Sequence, residues 1–308
     1  MRRPPMSPLT PFESRLVLSL CPAGARITHA AWFRHHAYPC PIRVTVALPS
    51  GAGWAFVVRS IRQPKGHLER EVALYPLLAR LGLPVPTVLA GPVRDPSDPA
   101  ERPRIVVSLL PGLNLQRLAE SGGRQALVAR DLVVDAVRWL HRLTPAVRAS
   151  AAAPVLPSGG LVHHLDTIVT QRGPWRDTPV FLEGCRRLRP ALRRAAVPLV
   201  FSNGDYQPAN FLALDGALSG FLDFEFAWFE DPLYGFAKYP IYDLAPLRGA
   251  GVVEAFMRRA GFRPRDFAPR VALGCLATLN REIPVAGGNA RYRDHVLNLL
   301  RTSLSTLT

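Results

Sequence analysis

Six acidic residues, Asp205, Asp215, Asp223, Glu225, Glu230 and Asp231, fall in the stretch from Val200 to Asp231, alternating with Phe, Leu and Trp. No Lys or Arg occurs from residue 195 to residue 237, although the chain is rich in arginine. Carboxylates without arginine neighbours are what a hard divalent cation or a cationic ligand requires. A merely solvated acidic loop fits poorly, because the apolar residues between the acids place them beside a core. Asp215-Gly216 is a strong two-residue hairpin signal. Folding about it sets Phe211 to Leu214 against Ala217 to Leu222 and brings Asn210 towards Asp223. Asp205 precedes Asn210 by five residues, across a loop containing Pro208. Two oxygen ligands beside a free carboxylate suit phosphoryl transfer: two groups hold Mg²⁺ on the phosphates and the third receives or orients the attacking hydroxyl.

The pattern N-G-D-x-x-x-x-N at Asn203 to Asn210, then L-D-F-E at Leu222 to Glu225 and D-P at Asp231-Pro232, resembles the aminoglycoside phosphotransferase and choline kinase superfamily. The resemblance runs over roughly residues 25 to 300. It implies an α+β, bilobal, protein-kinase-like fold with a small antiparallel sheet lobe (1–107, nucleotide-binding) and a larger helical lobe (108–308, catalytic and substrate-binding). It implies Asp205 as catalytic base, and Asn210 and Asp223 as magnesium ligands. Glu225 and Asp231 match acidic positions that support the loop or the substrate pocket. Arg59 in V-V-R stands where the family has a strand cation on the ATP phosphates, and Glu71 matches the helix glutamate that pairs with it. Main-chain groups of Ser108 and Leu110 match the hinge that bonds the adenine. ATP and Mg²⁺ are the implied cofactors and a small-molecule hydroxyl the implied acceptor.

Several positions depart from that pattern. Asn203 replaces the usual His before Gly-Asp, and Arg59 replaces a more usual Lys with a bulkier, forked cation. The connection from Arg34 to Cys40 lacks the glycines that let a backbone approach phosphates closely. Gly235 stands where an aspartate is frequent. The glycine-poor loop motivates an alternative reading, a degenerate nucleotide-binding protein of pseudokinase type.

The elements that must position these residues are legible in outline. Ile27 to Phe33, Ile42 to Leu48 and Trp54 to Ser60 read as an antiparallel meander. His67 to Leu81 has helical apolar spacing, with Pro76 expected to bend or interrupt it. Ile105 to Leu110 is a further strand. Leu127 to Leu143, Phe181 to Ala196, Val252 to Gly261, Val271 to Ile283 and His295 to Leu304 read as helices. The Pro-rich first twenty-odd residues read as a loosely held lead-in.

Composition bounds the rest. A chain of 308 residues has room for about two domains at roughly 150 residues each. At 48% hydrophobic and 20% charged residues, it excludes disordered, collagenous and disulfide-scaffold classes. The net charge is +15, but only Lys65 and Lys238 among the 38 basic residues are lysines. That imbalance, with 31 prolines, reads as coding bias more readily than as a nucleic-acid face, which is kept as a minor alternative. Cys21, Cys40, Cys185 and Cys275 are dispersed and form no C-x-x-C pair. With no apolar run of membrane-spanning length, they point to a cytoplasmic protein without a membrane or nucleic-acid partner. His35-His36 and His163-His164 read as turn residues, His141 as structural, and the arginines at 186–194 as a solvated helix face.

Overall fold

From residue 8 onwards the Pro-rich start folds instead of trailing. Thr10 caps helix α1 (Pro11–Leu18): its hydroxyl accepts from the Glu13 amide, and Glu13 Oε2 accepts from the Thr10 amide. This reciprocal capping box satisfies donors that a helix start leaves orphaned. The other Glu13 oxygen accepts from the buried Arg104 guanidinium at 3.2 Å, and Asp98 meets the same guanidinium at 2.8 Å. A buried ion pair of long sequence separation thus anchors a segment whose composition suggested a loose lead-in.

This computed structural model describes residues 8–33, 41–60, 67–98, 102–281 and 290–307. They form two compact units: the chain up to Gly112 with Ser150–Val155 and Ser219–Phe226, and the remainder. The first unit carries β1 (Arg26–Trp32), β2 (Ile42–Ala47), β3 (Gly53–Ser60), helix α2 (Leu68–Arg80), β4 (Val88–Arg94) and β5 (Pro103–Ser108). The strands make one sheet of order β1-β2-β3-β5-β4. Every neighbouring pair is antiparallel. Ile42, Val44, Val46, Phe56, Val58 and Val106 pack with Leu9 and Val17 of the capped segment in one core. β4 is the strand that sequence pattern missed, because Gly91 and Pro92 interrupt it, and it takes the edge where proline is tolerated. Pro76 does not interrupt α2. It lies on the helix's exposed side, opposite the buried Glu71, Leu74, Tyr75 and Leu78.

The second unit is mainly helical. A short strand β6 (Leu113–Asn114) leads into α3 (Leu115–Glu120), α4 (Gly123–Arg142), α5 (Thr144–Arg148), α6 (Leu161–Thr170) and α7 (Pro179–Arg194). The short strands β7 (Val200–Ser202), β8 (Phe211–Leu214) and β10 (Trp228–Glu230) follow, while β9 (Ala217–Phe221) runs on into the Ser219–Phe226 segment of the first unit. The closing helices are α8 (Lys238–Ile241), α9 (Val252–Ala260), α10 (Pro264–Asn280) and α11 (Ala290–Ser305). α10 is buried along most of its length, and α6, α7 and α11 contribute to its core cluster. It starts seven residues before its expected position, with Pro264 in the first turn where a missing N–H costs nothing. Among the described residues no helix is long and apolar enough to cross a membrane.

Candidate active site

Asp205 sits in the loop after β7, in the second unit. β7 pairs with β10 in register Phe201↔Phe229, which fixes the start of that loop. The loop is then held by its own asparagines. Asn203 Oδ1 accepts from the Asp205 amide at 3.3 Å, and Asn203 Nδ2 donates to the Asp205 carbonyl at 3.0 Å. Asn210 Nδ2 donates to the same carbonyl at 3.1 Å. Asn203 therefore performs main-chain bonding in place of a histidine, and the Asp205 carbonyl is clamped by two amides. The carboxylate is left on the accessible side. Its Oδ1 accepts from the Gln207 amide at 3.1 Å and meets Lys238 Nζ at 2.8 Å.

Tyr206 locks the loop from beneath. Its hydroxyl lies 2.9 Å from His141 Nε2 on α4, and its carbonyl accepts from the Tyr239 hydroxyl on α8 at 2.9 Å. Burial pushes the His141 imidazole down to about 3, so it is neutral and structural, as its helix setting suggested. Gly235 makes room for the tyrosine. A Cβ there would stand 2.4 Å from Tyr206 Cδ2, so the tyrosine ring occupies the space a side chain at 235 would need.

The second group of expected site residues meets in the first unit. Arg59, near the end of β3, ion-pairs with Glu71 on α2, and its other terminal nitrogen reaches Asp223 Oδ1 at 3.0 Å. Glu225 stands 3.9 Å away. Glu71 is fully buried, and its Oε1 also accepts from the Tyr75 hydroxyl and the Phe224 amide, each at 2.9 Å. Burial pushes the Glu71 carboxyl up while Arg59 pulls it down. Burial opposes the charge on Arg59, but Glu71 and Asp223 outweigh it and hold the guanidinium well above its ordinary value. Asp223 has φ +63°, a left-handed backbone that Asp tolerates better than most residues. The chain reaches it through the turn at Asp215 (φ +51°) and Gly216 (φ +79°), the double positive φ of a type I′ hairpin.

At the end of β5, the Ser108 amide donates to the Thr87 carbonyl and the Ser108 hydroxyl accepts from the Thr87 amide, both at 2.9 Å. The Ser108 amide is therefore spent within the protein. Asp231 is committed to structure: both its oxygens bind the buried Arg270 guanidinium of α10, at 2.8 and 2.6 Å.

The acids of the arginine-free stretch are not free of cations, because cations arrive from elsewhere in the chain: Arg59 to Asp223 and Glu225, Lys238 to Asp205, and Arg270 to Asp231. Absence along the chain says nothing about neighbours in space. Lys238 is the neighbour of Asp205 that spacing does not predict, and its one signal is rarity, as one of two lysines that also closes the gap at 195–237. Glu230 reads from sequence only as one more acid. Burial raises its carboxyl to about 7, a shift that Ser202 and Lys238 moderate.

The glycine-poor connection at 34–40 and His35-His36 lie outside the described residues. His163-His164 lie within α6 and not in a turn, and among the described residues no group of three or more His, Cys, Asp or Glu could hold a metal ion. The arginines of α7 are partly paired, Arg186 with Glu183 and Arg189 with Asp166.

An antiparallel five-stranded sheet with helices α1 and α2, followed by a mainly helical unit, is the kinase-like fold. Solved structures agree at low identity. Aminoglycoside phosphotransferase APH(4)-Ia, in a ternary complex with ADP and hygromycin B, matches at TM-score 0.64 and 14% identity, covering 95% of this chain and 98% of that one. Choline kinase LicA from Streptococcus pneumoniae matches at 0.59 and 12%, covering 96% of each. APH(2")-IIia, in a complex with GDP and kanamycin, matches at 0.61 and 14%, covering 95% and 98%. No curated protein sequence matches significantly. The family profile described as "Phosphotransferase enzyme family" matches residues 43–272. The chain belongs to that family.

Proposed function

We propose that the protein moves the γ-phosphoryl group of ATP to a hydroxyl of a small molecule. The observation that carries this reading is the setting of Asp205: its backbone is clamped by Asn203 and Asn210, while its carboxylate remains 18% exposed. A base for an incoming hydroxyl needs that combination of fixed position and access. In the reaction the bond from γ-phosphorus to the β–γ bridging oxygen breaks and a bond to the acceptor oxygen forms. The acceptor's proton passes to the Asp205 carboxylate, and ADP leaves. The structures of family relatives with ADP and with GDP support a nucleotide as donor.

The first unit is the proposed nucleotide-binding lobe and the second the catalytic and acceptor lobe. Arg59, oriented by Glu71, would meet the phosphates. The Ser108 carbonyl and the Leu110 amide would meet the adenine edge. Asn210, in the second unit, and Asp223, in the first, are the proposed magnesium ligands, and each has a side-chain oxygen to offer. The Asn210 nitrogen is spent on the Asp205 carbonyl, which leaves its oxygen, and Asp223 Oδ2 has no partner among the described residues. Mg²⁺ suits a site with few protein oxygens completed by phosphates and water, where it neutralises charge on the phosphates.

A second reading, nucleotide binding without transfer, is favoured by the direct Arg59–Asp223 ion pair, since each of these residues already satisfies the other. Titration calorimetry of ATP with and without Mg²⁺, alongside turnover of an acceptor panel, separates the two. Asp205→Ala is expected to lose at least about 10²-fold in turnover, the usual worth of a positioned base, with nucleotide affinity kept. Asp223→Ala is expected to lose the magnesium-dependent part of binding. A fully active Asp205→Ala protein overturns the assignment of the base. ATP binding with no turnover of any acceptor selects the second reading.

A further inference from the structure

The charges around Asp205 bear on which acceptors it can receive, an inference that rests on the reading of Asp205 as the catalytic base. Aminoglycoside-like acceptors carry several ammonium groups, and a site for them needs carboxylates free to receive those charges. Among the described residues of the second unit, Asp231, Asp243 and Glu230 do not offer them. Asp205 is itself neutralised by Lys238 at 2.8 Å. Asp231 is enclosed with Arg270, both side chains 1% exposed. Asp243 pairs with Arg248 at 2.6 Å, and Asp215 stands exposed at the tip of its hairpin. Glu230 is 2% exposed, so its carboxyl is not open to a ligand's ammonium group.

Cations, in contrast, are present and accessible. The Lys238 side chain is 31% exposed beside the base. Tyr242 and Glu230 lie within electrostatic reach of its ammonium. Arg281, at the end of α10, is exposed, forms no ion pair among the described residues, and acts electrostatically on both His164 and Tyr234. The ring of His164 contacts those of Trp228 and Tyr234, at 4.2 and 4.6 Å between centroids. Trp228 and Glu230 belong to β10, the strand paired with the one that leads into the Asp205 loop. The net charge of +15 acts in the same direction at long range, disfavouring approach of a polycation and favouring anions.

We propose that the acceptor is an alcohol without ammonium groups, of the sugar, polyol or hydroxy-acid type, and that Lys238 is the residue that excludes polycationic acceptors. Lys238 contacts the base and sets which alcohols come near it. The discrimination is electrostatic and weakens with salt.

The test uses the full chain and Lys238→Met, a substitution that keeps the apolar stem and removes the charge. Turnover and calorimetric binding are measured for three arms: uncharged sugars and polyols, hydroxy acids, and kanamycin-type polycations, at low and moderate ionic strength. ATP titration of both proteins reports the folded nucleotide site separately. The expected result is at least tenfold preference of the wild type for a member of the first two arms over the polycations, narrowed at least tenfold by Lys238→Met. A stronger response to hydroxy acids identifies an anionic acceptor, and to polyols a neutral one. Three outcomes overturn the proposal: a wild-type preference for the polycation, no response to any uncharged or anionic alcohol, or a selectivity unchanged in Lys238→Met. If ATP still binds in those cases the kinase-like reading stands and only the acceptor class falls. If ATP does not bind, that reading falls too.

Discussion

Replacing Glu71 by glutamine tests the charge arrangement of the first unit most directly. Glu71 is fully buried, and one oxygen, Oε1, takes donors from Arg59, from Tyr75 and from the Phe224 amide. Glutamine keeps the shape and one acceptor, but it removes the charge and puts an amide NH₂ where Oε2 is, an oxygen without a partner. Breaking a buried ion pair costs about 3–5 kcal/mol when the remaining charge has nothing else. Here Arg59 keeps Asp223 at 3.0 Å and Glu225 at 3.9 Å and is 14% exposed, so about half of that is expected. An unsatisfied buried amide donor adds about 1–2 kcal/mol. The sum is about 3 kcal/mol, or roughly 6–12 °C in melting temperature at about 2–4 °C per kcal/mol. Thermal unfolding followed by circular dichroism reads it, with Arg59→Met and the double variant completing a cycle. A coupling above about 1 kcal/mol is expected, because the two side chains share one contact. A Glu71→Gln shift under about 2 °C, or strict additivity in the double variant, would refute the reasoning.

Two further perturbations probe the second unit. Burial raises Glu230 to about 7 from an ordinary 4.5, so the folded state holds its proton over a range in which the unfolded chain has released it. Stability from this group is therefore complete below about pH 4.5 and is lost as pH rises to about 7, at up to about 3 kcal/mol by linkage. His141 and His164, both lowered to about 3 by burial, act in the opposite sense as pH falls below about 6.5, so the difference between proteins is what must be read. Glu230→Gln is expected to gain melting temperature relative to wild type progressively from pH 5 to pH 8; a constant difference would count against the buried acid. Gly235→Ala places a Cβ 2.4 Å from the Tyr206 ring, which is buried and tied to His141, at a cost of about 1–3 kcal/mol. Adding Tyr206→Leu should cost less in that background than alone, and a Gly235→Ala protein that melts with the wild type would disprove the contact.

What the chain order alone made legible were features of short range. The strands at 42–47 and 53–60, the long helices and the Asp215-Gly216 turn depend on periodicity and local backbone preference, which neighbouring residues carry. The spacing from Asn203 to Asn210 is local in the same way, and the two asparagines close on the carbonyl of the aspartate between them. The capped helix at 11–18 was equally written in Thr10 and Glu13, but the prolines around it concealed the signal. Tertiary structure decided which charges meet. Arg104 finds Glu13 across 91 positions, and Arg59 finds Asp223 across 164. Lys238 closes on an aspartate in the stretch that had looked free of cations, and the Tyr206 ring fills the space above Gly235. Such pairings follow from how strands and helices pack, and side-chain charge acts over ångströms in space with no regard to separation along the chain.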